Sequence, residues 1–496
     1  MSIWGLGSGE SVASLDKRMA EASTYTEWTM LARQHDELSG GRAWREVSRS
    51  ELYDYREIGN RYESLRQYLD SGSTQELLYA LNEGVHGNMG GMGRPVLYER
   101  ARCGTKQLIE DYVSAIAEAM LHINRSPDSE VPYAEKLDFF RRASHCYGRS
   151  ALLLSGGGGL IYAHHGVVQE LIDNDMLPRV ISGSSAGAVV AAQLGTLTDE
   201  ELKAGYFIDK RYHELERTRL RDQVLGRTHP DDAKQSLERL LDEIIPRDIT
   251  FQEAFEKTGR YINISISPAG RHQNSRLMNA ITSPNVYVRA AVSASSSIPG
   301  VVPAERLFAK GFDGKPRPYL ANRRWVDGSV SGELPTKRLA RLYGVNHFVV
   351  SMINPAVVPF ISDIKTRQQR GIKSAVTAAA IQVAHELLLT AELQLNNRGR
   401  RGQFIASQLK HLSGVLDQDY LGDINILMEK SDFKWRQTLF EFQPGEIEAL
   451  ILAGRRKTWP KLAMMRNAAL ISGTLDRILG ELDKEGLGQS KHHLDA

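Results

Sequence analysis

Hydrophobic residues recur at spacings of three and four along residues 15–120, and this periodicity predicts a mostly helical region. Short runs rich in glycine and serine interrupt the pattern, the longest of them at 84–93. That run lacks the preceding strand and the following Gly-Lys-Ser/Thr of a phosphate-binding loop, so we interpret it as a connection between helices. A charged stretch around Pro127 then indicates a boundary between folded units. We therefore predict a helical N-terminal domain over residues 13–148.

The hydrophobic pattern changes at Ser150. Ala151–Leu154 is a continuous apolar run, as expected for a strand that is buried on both faces of a parallel sheet. Later apolar or alternating stretches predict further strands at Tyr261–Ser267, Asn346–Ile353 and Asp423–Leu427. We predict an α/β domain over residues 149–355, followed by a mainly helical C-terminal extension over residues 356–496.

A Gly-X-Ser-X-Gly turn, centred on Ser185, joins a short apolar strand to a helix of small residues. In a nucleophile elbow the serine occupies a strained turn between strand and helix, and the flanking positions must be very small because the two elements nearly touch. Gly183 and Gly187 meet that requirement. The following helix start supplies free backbone N–H groups beside the hydroxyl. The pattern predicts Ser185 as a nucleophile.

A glycine loop follows the first predicted strand directly and contains Gly156, Gly157 and Gly158. Strand, glycine loop and helix start together form a site for an anion. A dinucleotide-binding loop would require a third glycine where Ile161 stands, so that interpretation fits only in part. An oxyanion hole needs only backbone donors near a nucleophile, and Ser185 follows within one crossover. We favour the oxyanion hole.

A nucleophilic serine needs a group that accepts its proton, and Asp327 is the candidate at the end of a predicted strand. A carboxylate in a dry cleft can have its pKa raised into a useful range. The sequence contains 14 histidines, but none lies in a turn that marks it as a catalytic base. We interpret His164 and His165 as packing or polar-rim residues. The small-residue helix that begins at Val288 carries several serines, whose hydroxyls are suited to satisfying local backbone groups rather than to nucleophilic attack.

Composition and charge restrict the classes of function. Lysine and arginine total 62 against 60 aspartate and glutamate, and a net charge of +2 argues against a dedicated nucleic-acid-binding protein. Two cysteines suit a reducing compartment. The N-terminus lacks the pattern of a secretory signal, and no stretch has the length and apolarity of a membrane-spanning helix. We expect a cytoplasmic protein that contacts membranes peripherally. The predicted helix Ile372–Leu395 is a packed or lid-like element, with an interfacial lipid-binding helix as the alternative.

Three motifs, in the order Ser155–Gly159, Gly183–Gly187 and Asp327–Ser329, resemble those of the patatin-like acyl hydrolases. Val288–Val302 and Asn346–Pro359 are similar to the same family. The resemblance implies that the predicted α/β domain is a patatin-like catalytic domain. The implied fold has three layers, α/β/α, with a mainly parallel sheet.

The N-terminal region resembles the helical domain of unknown function that precedes the patatin domain in eukaryotic storage-lipid triacylglycerol lipases. Tyr420–Ile424 is similar to the distal region of those proteins, so the resemblance covers about residues 13–430. The N-terminal residues that support it are Trp44, Tyr53, Asp54, Gly104–Ile109 and Tyr112.

Transferred to this sequence, the resemblance implies a Ser–Asp dyad without histidine, in which Ser185 is the nucleophile and Asp327 the base. The glycine loop described above would supply the oxyanion donors. The loop departs from the family pattern at two positions. Ile161 stands where the family usually has a glycine, and Leu160 stands where many members have a basic residue.

The implied activity is that of a lipid acyl hydrolase of the triacylglycerol lipase or phospholipase A type. It would act on lipid esters at a membrane or lipid-droplet-like surface, and we expect it to need no metal and no cofactor. Two alternatives stay open. The same acyl-enzyme could transfer its acyl group to an alcohol or a lysolipid, or the protein could be a catalytically silent lipid-surface binding protein.

Overall fold

The computed structural model describes residues 11–85, 88–205, 230–269, 275–298, 302–328, 334–354 and 422–492. The chain separates into two compact units, one formed by residues 1–150, 344–347 and 458–496 and the other by residues 151–343 and 348–457. The predicted helix Ile372–Leu395 lies outside the described residues. Among the helices that are described, none is long and apolar enough to cross a membrane.

The first unit is helical, as the spacing of its hydrophobic residues predicts. Side-chain caps fix where its helices begin: Thr24 accepts a hydrogen bond from the Glu27 amide, and Asp54 accepts one from the Glu57 amide. The unit's helices are Val12–Glu21 (α1), Tyr25–Ser39 (α2), Gly41–Glu46 (α3), Tyr55–Ser71 (α4), Thr74–Asn82 (α5), Gln107–Arg125 (α6), Tyr133–Tyr147 (α7) and Leu462–His492 (α16).

The last helix, α16, packs with the N-terminal helices and belongs to the same folded unit. Ile471, Leu475 and Ile478 recur at helical spacing along α16, and all three are buried in the same core as Ile109 and Phe140. The core of this helical unit is therefore assembled from both ends of the chain.

The second unit is built around a seven-stranded, mainly parallel sheet. Its strands follow the order β4-β3-β2-β1-β8-β9, with β7 paired to β3 in addition. Pairs β1–β2, β2–β3 and β8–β9 are parallel, whereas β4 and β7 run antiparallel to β3. The strands are Arg149–Leu154 (β1), Val180–Gly183 (β2), Tyr261–Pro268 (β3), Arg276–Met278 (β4), Trp325–Asp327 (β7), Val345–Met352 (β8) and Ile424–Leu427 (β9), and a separate hairpin comprises Leu307–Lys310 (β5) and Pro316–Tyr319 (β6).

Helices connect and flank these strands, so the unit is an α/β fold of the kind that the sequence predicts. The strands predicted near residues 151, 261, 346 and 423 are all present, as is the small-residue helix that begins at Val288. The unit's helices are Ile161–Asp173 (α8), Ala186–Thr196 (α9), Asp199–Lys203 (α10), Pro230–Ile244 (α11), Phe251–Thr258 (α12), Val288–Ser295 (α13), Thr336–Tyr343 (α14) and Glu446–Thr458 (α15).

Candidate active site

Ser185 occupies the turn between strand β2 and helix α9, and its backbone is strained. Its φ is 50° and its ψ is −119°, a conformation that residues other than glycine rarely adopt. A Cβ atom at Gly183 would overlap the carbonyl oxygen of Gly187, and one at Gly187 would overlap the carbonyl oxygen of Leu154. Helix α9 approaches strands β2 and β1 so closely that only glycine fits at either position. The geometry is that of a nucleophile elbow.

The strained turn is fixed by a serine that is distant in the sequence. The backbone N–H of Ser185 donates to Oγ of Ser295 at 3.0 Å, and that hydroxyl donates to the carbonyl oxygen of Ser265 at 2.8 Å. The sequence suggested that the serines of this region satisfy local backbone groups, and Ser297 does so by donating to the carbonyl oxygen of Ser293 at 2.8 Å. Ser295 instead bonds groups that are distant in the sequence. No sequence pattern indicated that one of these groups is the amide of Ser185, which lies 110 positions away.

Asp327 ends strand β7 and is almost completely buried. Its backbone N–H donates to the carbonyl oxygen of Ser297 at 3.1 Å. The C-terminal end of α13 and the residues just after it are therefore bonded both to the Ser185 turn, through Ser295, and to the strand end that carries Asp327.

The pairing register of β3 places the two candidate residues at the same end of the sheet. Gly183 of β2 pairs with Ile264 of β3, and Asp327 of β7 pairs with Ile266 of β3. Strand β4 pairs with both of these β3 residues along the other edge of β3, so β2 and β7 lie on the same edge. The two partners are two residues apart along β3, a distance of about 7 Å. The structure thus brings together Asp327 and the turn that follows Gly183, although they are far apart in the sequence.

The residue after Asp327 must also be glycine. A Cβ atom at Gly328 would overlap the carbonyl oxygen of Ser265, the same group that accepts the Ser295 hydroxyl. Packing therefore requires glycine at position 328, whereas an ordinary turn would tolerate other residues there.

The glycine loop begins at the end of β1 and turns into α8 through a short 3₁₀ segment, Gly158–Leu160. Gly158 has a φ of 57°, which favours glycine. Within the part of the chain that the structure describes, the N–H groups of Gly157 and Gly158 donate to no protein acceptor. Ile161, where the family pattern has a glycine, is the first residue of α8 and is buried. Two amides of the loop therefore make no hydrogen bond to another described residue.

His164 is a buried residue that holds the glycine loop, as its interpretation as a packing residue predicts. Its Nε2 donates to the carbonyl oxygen of Ser155 at 2.9 Å, so Nδ1 is left to accept a hydrogen bond from the Ser351 hydroxyl at 2.8 Å. The Ser155 hydroxyl oxygen also accepts a bond from the amide of Ile353 at 2.9 Å. Burial lowers the pKa of His164 from its ordinary 6.5 to about 4, so the ring is neutral near pH 7.

This lowered pKa predicts an acid sensitivity that depends on His164. Below its ordinary pKa of 6.5, unfolded His164 binds a proton that the folded form does not take up until about pH 4. Stability is therefore highest above pH 6.5 and decreases as the pH falls towards 4, by about 3 kcal/mol from this group. The free energy of unfolding of the wild type and of His164→Asn, measured with urea between pH 7 and pH 4, tests this decrease. The two profiles should converge at low pH, and parallel profiles would contradict the assignment.

Across the described residues, no three or more His, Cys, Asp or Glu side chains are grouped so that they could hold a metal ion.

Two family models match the chain. The model of a domain of unknown function, DUF3336, matches residues 8–145, and the model of the patatin-like phospholipases matches residues 152–340. The first match falls in the helical unit, and the second contains the Ser185 turn, the glycine loop and Asp327.

Curated relatives match along most of the chain. Triacylglycerol lipase SDP1L of Arabidopsis thaliana is 30% identical, over 94% of this chain and 58% of its own length. Triacylglycerol lipase 4 of Saccharomyces cerevisiae is 30% identical, over 92% of this chain and 52% of its own length. Triacylglycerol lipase ptl3 of Schizosaccharomyces pombe is 31% identical, over 92% of this chain and 94% of its own length. The chain thus spans little more than half the length of the first two relatives and nearly all of the third. Together with the two domain matches, these similarities show that the chain belongs to the patatin-like phospholipase family and carries a DUF3336 domain ahead of its patatin domain.

Proposed function

We propose that this protein is a serine hydrolase of lipid esters, with Ser185 as the nucleophile and Asp327 as the base. The observation that supports it best is the strained backbone of Ser185, held between two positions where only glycine fits. Strain of this kind persists only where the surrounding structure enforces it, and it is concentrated at functional sites. The names of the relatives, triacylglycerol lipases, favour lipid esters as substrates.

In the proposed first half-reaction, the carboxylate of Asp327 accepts the proton of the Ser185 hydroxyl while the oxygen attacks the ester carbonyl carbon. The carbonyl π bond breaks and a tetrahedral oxyanion forms. As the C–O bond to the alcohol breaks, Asp327 returns the proton to the leaving oxygen. The acyl group stays on Ser185 as an ester.

In the second half-reaction a water molecule takes the place of the alcohol. Asp327 accepts a proton from this water, whose oxygen attacks the acyl carbon of the enzyme ester. Collapse of the second tetrahedral oxyanion breaks the bond to Ser185, which recovers its proton from Asp327. The fatty acid is released and both side chains return to their starting states.

The oxyanion of each tetrahedral intermediate needs fixed donors that are present before the reaction begins. The glycine loop is suited to this role because the amides of Gly157 and Gly158 have no protein acceptor within the described residues. Gly156 completes the proposed donor set. His164 supports the loop by bonding the carbonyl oxygen of Ser155.

Substrates of this class are insoluble, so we propose that the protein works peripherally at a lipid surface facing the cytoplasm. Transfer of the acyl group to an alcohol in place of water would make the same site a transacylase.

A fluorophosphonate probe tests the nucleophile directly, because it phosphonylates an activated serine. We expect the wild type and Ser184→Ala to be labelled and Ser185→Ala to stay unlabelled. The adjacent serine is a matched control, since it is also buried but lies outside the proposed mechanism. Fatty-acid release from triacylglycerol, phospholipid and lysophospholipid then identifies the substrate. A folded wild type that neither labels nor releases fatty acid would favour a silent lipid-binding protein.

A further inference from the structure

A cavity of about 720 Å³ lies beside the edge strand β4 and is lined by four arginines. Arg276 belongs to β4, Arg323 precedes β7, and Arg338 and Arg341 lie one turn apart on α14. No acidic residue is among the residues that line it, all of which the structure describes. The cavity therefore concentrates positive charge in a chain whose net charge is only +2.

The side chains of these four arginines have no partner among the described residues, in either hydrogen bonds or ion pairs. Neighbouring cations differ in this respect. Arg317 is paired with Asp313 at 3.0 Å, and Lys310 is paired with Glu253 at 2.6 Å. Four like charges that face one cavity repel one another, and this repulsion is relieved when an anion binds. The planar guanidinium group matches phosphate oxygens in pairs, so phosphate is the anion that fits best.

The hairpin β5–β6 adjoins this cavity and presents apolar side chains to solvent. Tyr319, at the end of β6, is one of the residues that line the cavity. The turn of the hairpin is closed by a hydrogen bond from the amide of Gly311 to the carbonyl oxygen of Lys315, at 2.9 Å. Phe312 lies at this turn, and its side chain is completely exposed. Phe308, on strand β5, is partly exposed. Tyr319 pairs with Leu307 at the base of the hairpin, so Phe312 is exposed at the opposite end of an element whose base lines the cationic cavity. An exposed aromatic side chain on the same element as a cationic cavity suits a lipid surface better than a free phosphate compound.

The cavity lies close to the candidate active site. Ile266 of β3 pairs with Arg276 on one edge and with Asp327 on the other. Two strand spacings separate those two residues, a backbone distance of about 10 Å. An anion held by Arg276 would therefore lie near the end of the sheet where Ser185 is located.

We propose that the arginine cavity binds the phosphate of an anionic phospholipid headgroup while Phe312 inserts into the lipid layer. This docking would hold the candidate active site beside a lipid surface. The inference deepens the proposed function, on which it rests for its role, but binding can be measured without any catalysis.

Co-sedimentation of the full chain with vesicles tests the arginines. One set of vesicles is phosphatidylcholine alone, and in the other a quarter of the lipid is phosphatidylserine. Removing two charges with Arg338→Gln/Arg341→Gln should weaken binding to the anionic vesicles about thirty-fold. The control Arg141→Gln/Arg142→Gln removes the same charge from exposed arginines of the helical unit and should bind like the wild type. Equal binding by the wild type and both variants would overturn the proposal.

Two further experiments test the contribution of Phe312 to vesicle binding and the preference of the cavity for a lipid headgroup over free phosphate. Phe312→Ser should weaken vesicle binding about ten-fold, since it removes an inserted apolar side chain. Tyr79→Ser, at an exposed aromatic residue of the helical unit, is the matched control and should have no effect. Inorganic phosphate, at an ionic strength matched with chloride, should displace the vesicles only weakly. Complete displacement would show a site for free phosphate and would overturn the lipid assignment.

The failure of this inference and the failure of the proposed function have different signatures. If the docking inference is correct, Arg338→Gln/Arg341→Gln keeps wild-type fluorophosphonate labelling and wild-type hydrolysis of a water-soluble short-chain ester. If labelling of Ser185 occurs but vesicle binding is the same in every variant, only the docking inference fails. If anionic vesicles bind through the arginines but no serine is labelled, only the hydrolase fails.

Discussion

Replacing Ser185 by alanine is expected to lower kcat for fatty-acid release by about 10⁴-fold or more while the fold is retained. The side chain is small, and its loss opens little space in a site that is almost completely buried. Its backbone N–H still bonds Ser295, so the turn keeps its anchor. Fatty-acid release by the purified variant, measured together with its thermal unfolding, checks both parts of this expectation.

Asp327→Asn should cause a loss of similar size, because an amide cannot accept the proton from Ser185. The backbone bond from residue 327 to the carbonyl oxygen of Ser297 is unaffected by this change. If the two residues act as a unit, the double variant should be no less active than either single variant. Losses that multiply, or an active Asp327→Asn, would show that Asp327 is not the base.

Replacing Gly187 by alanine is expected to reduce the free energy of unfolding by about 3 kcal/mol or more. The added Cβ would overlap the carbonyl oxygen of Leu154, a backbone atom of the central strand β1 that cannot rotate away. The helix or the strand would have to move, and either movement disturbs the turn at Ser185. Thermal unfolding of the purified variant, or its soluble yield if it does not accumulate, measures the effect.

Gly473→Ala is the matched control for this prediction. Gly473 lies within α16, and nothing lies within 4 Å of the position that its Cβ would take. Alanine there should stabilise the protein by about 0.5 to 1 kcal/mol, because it reduces the backbone entropy that the helix loses on folding. A Gly187→Ala variant as stable as the wild type would mean that α9 is not held against β1.

Much of the second unit could be predicted from its sequence because the signals are local. The apolar run at Ala151–Leu154 and the alternating residues at Tyr261–Ser267 indicate strands through their own periodicity. The spacing of the glycines around Ser185 indicates a close approach of strand and helix, and the atom that Gly183 makes room for, the carbonyl oxygen of Gly187, is only four residues away. Steric contacts between residues that are close in the sequence can be predicted from the residue types and their spacing.

The packing of segments that are far apart in the sequence leaves no such local pattern. No pattern within residues 462–492 indicates that Ile471 and Leu475 complete the core of the N-terminal helices, because an apolar stripe does not specify its partner. Ser295 also could not be identified as the anchor of Ser185, because a hydroxyl that satisfies a backbone amide leaves no periodicity.

Sequence patterns were enough to predict the helical N-terminal region, the main strands of the sheet and the candidate groups: the turn that carries Ser185, the glycine loop and the carboxylate of Asp327. Where those groups meet depends on the tertiary fold. The register of β3 sets Asp327 beside the end of β2, and it sets Arg276 on the opposite edge. The two differ because local conformation depends on adjacent residues, whereas strand register and helix packing depend on the burial of surfaces from distant parts of the chain.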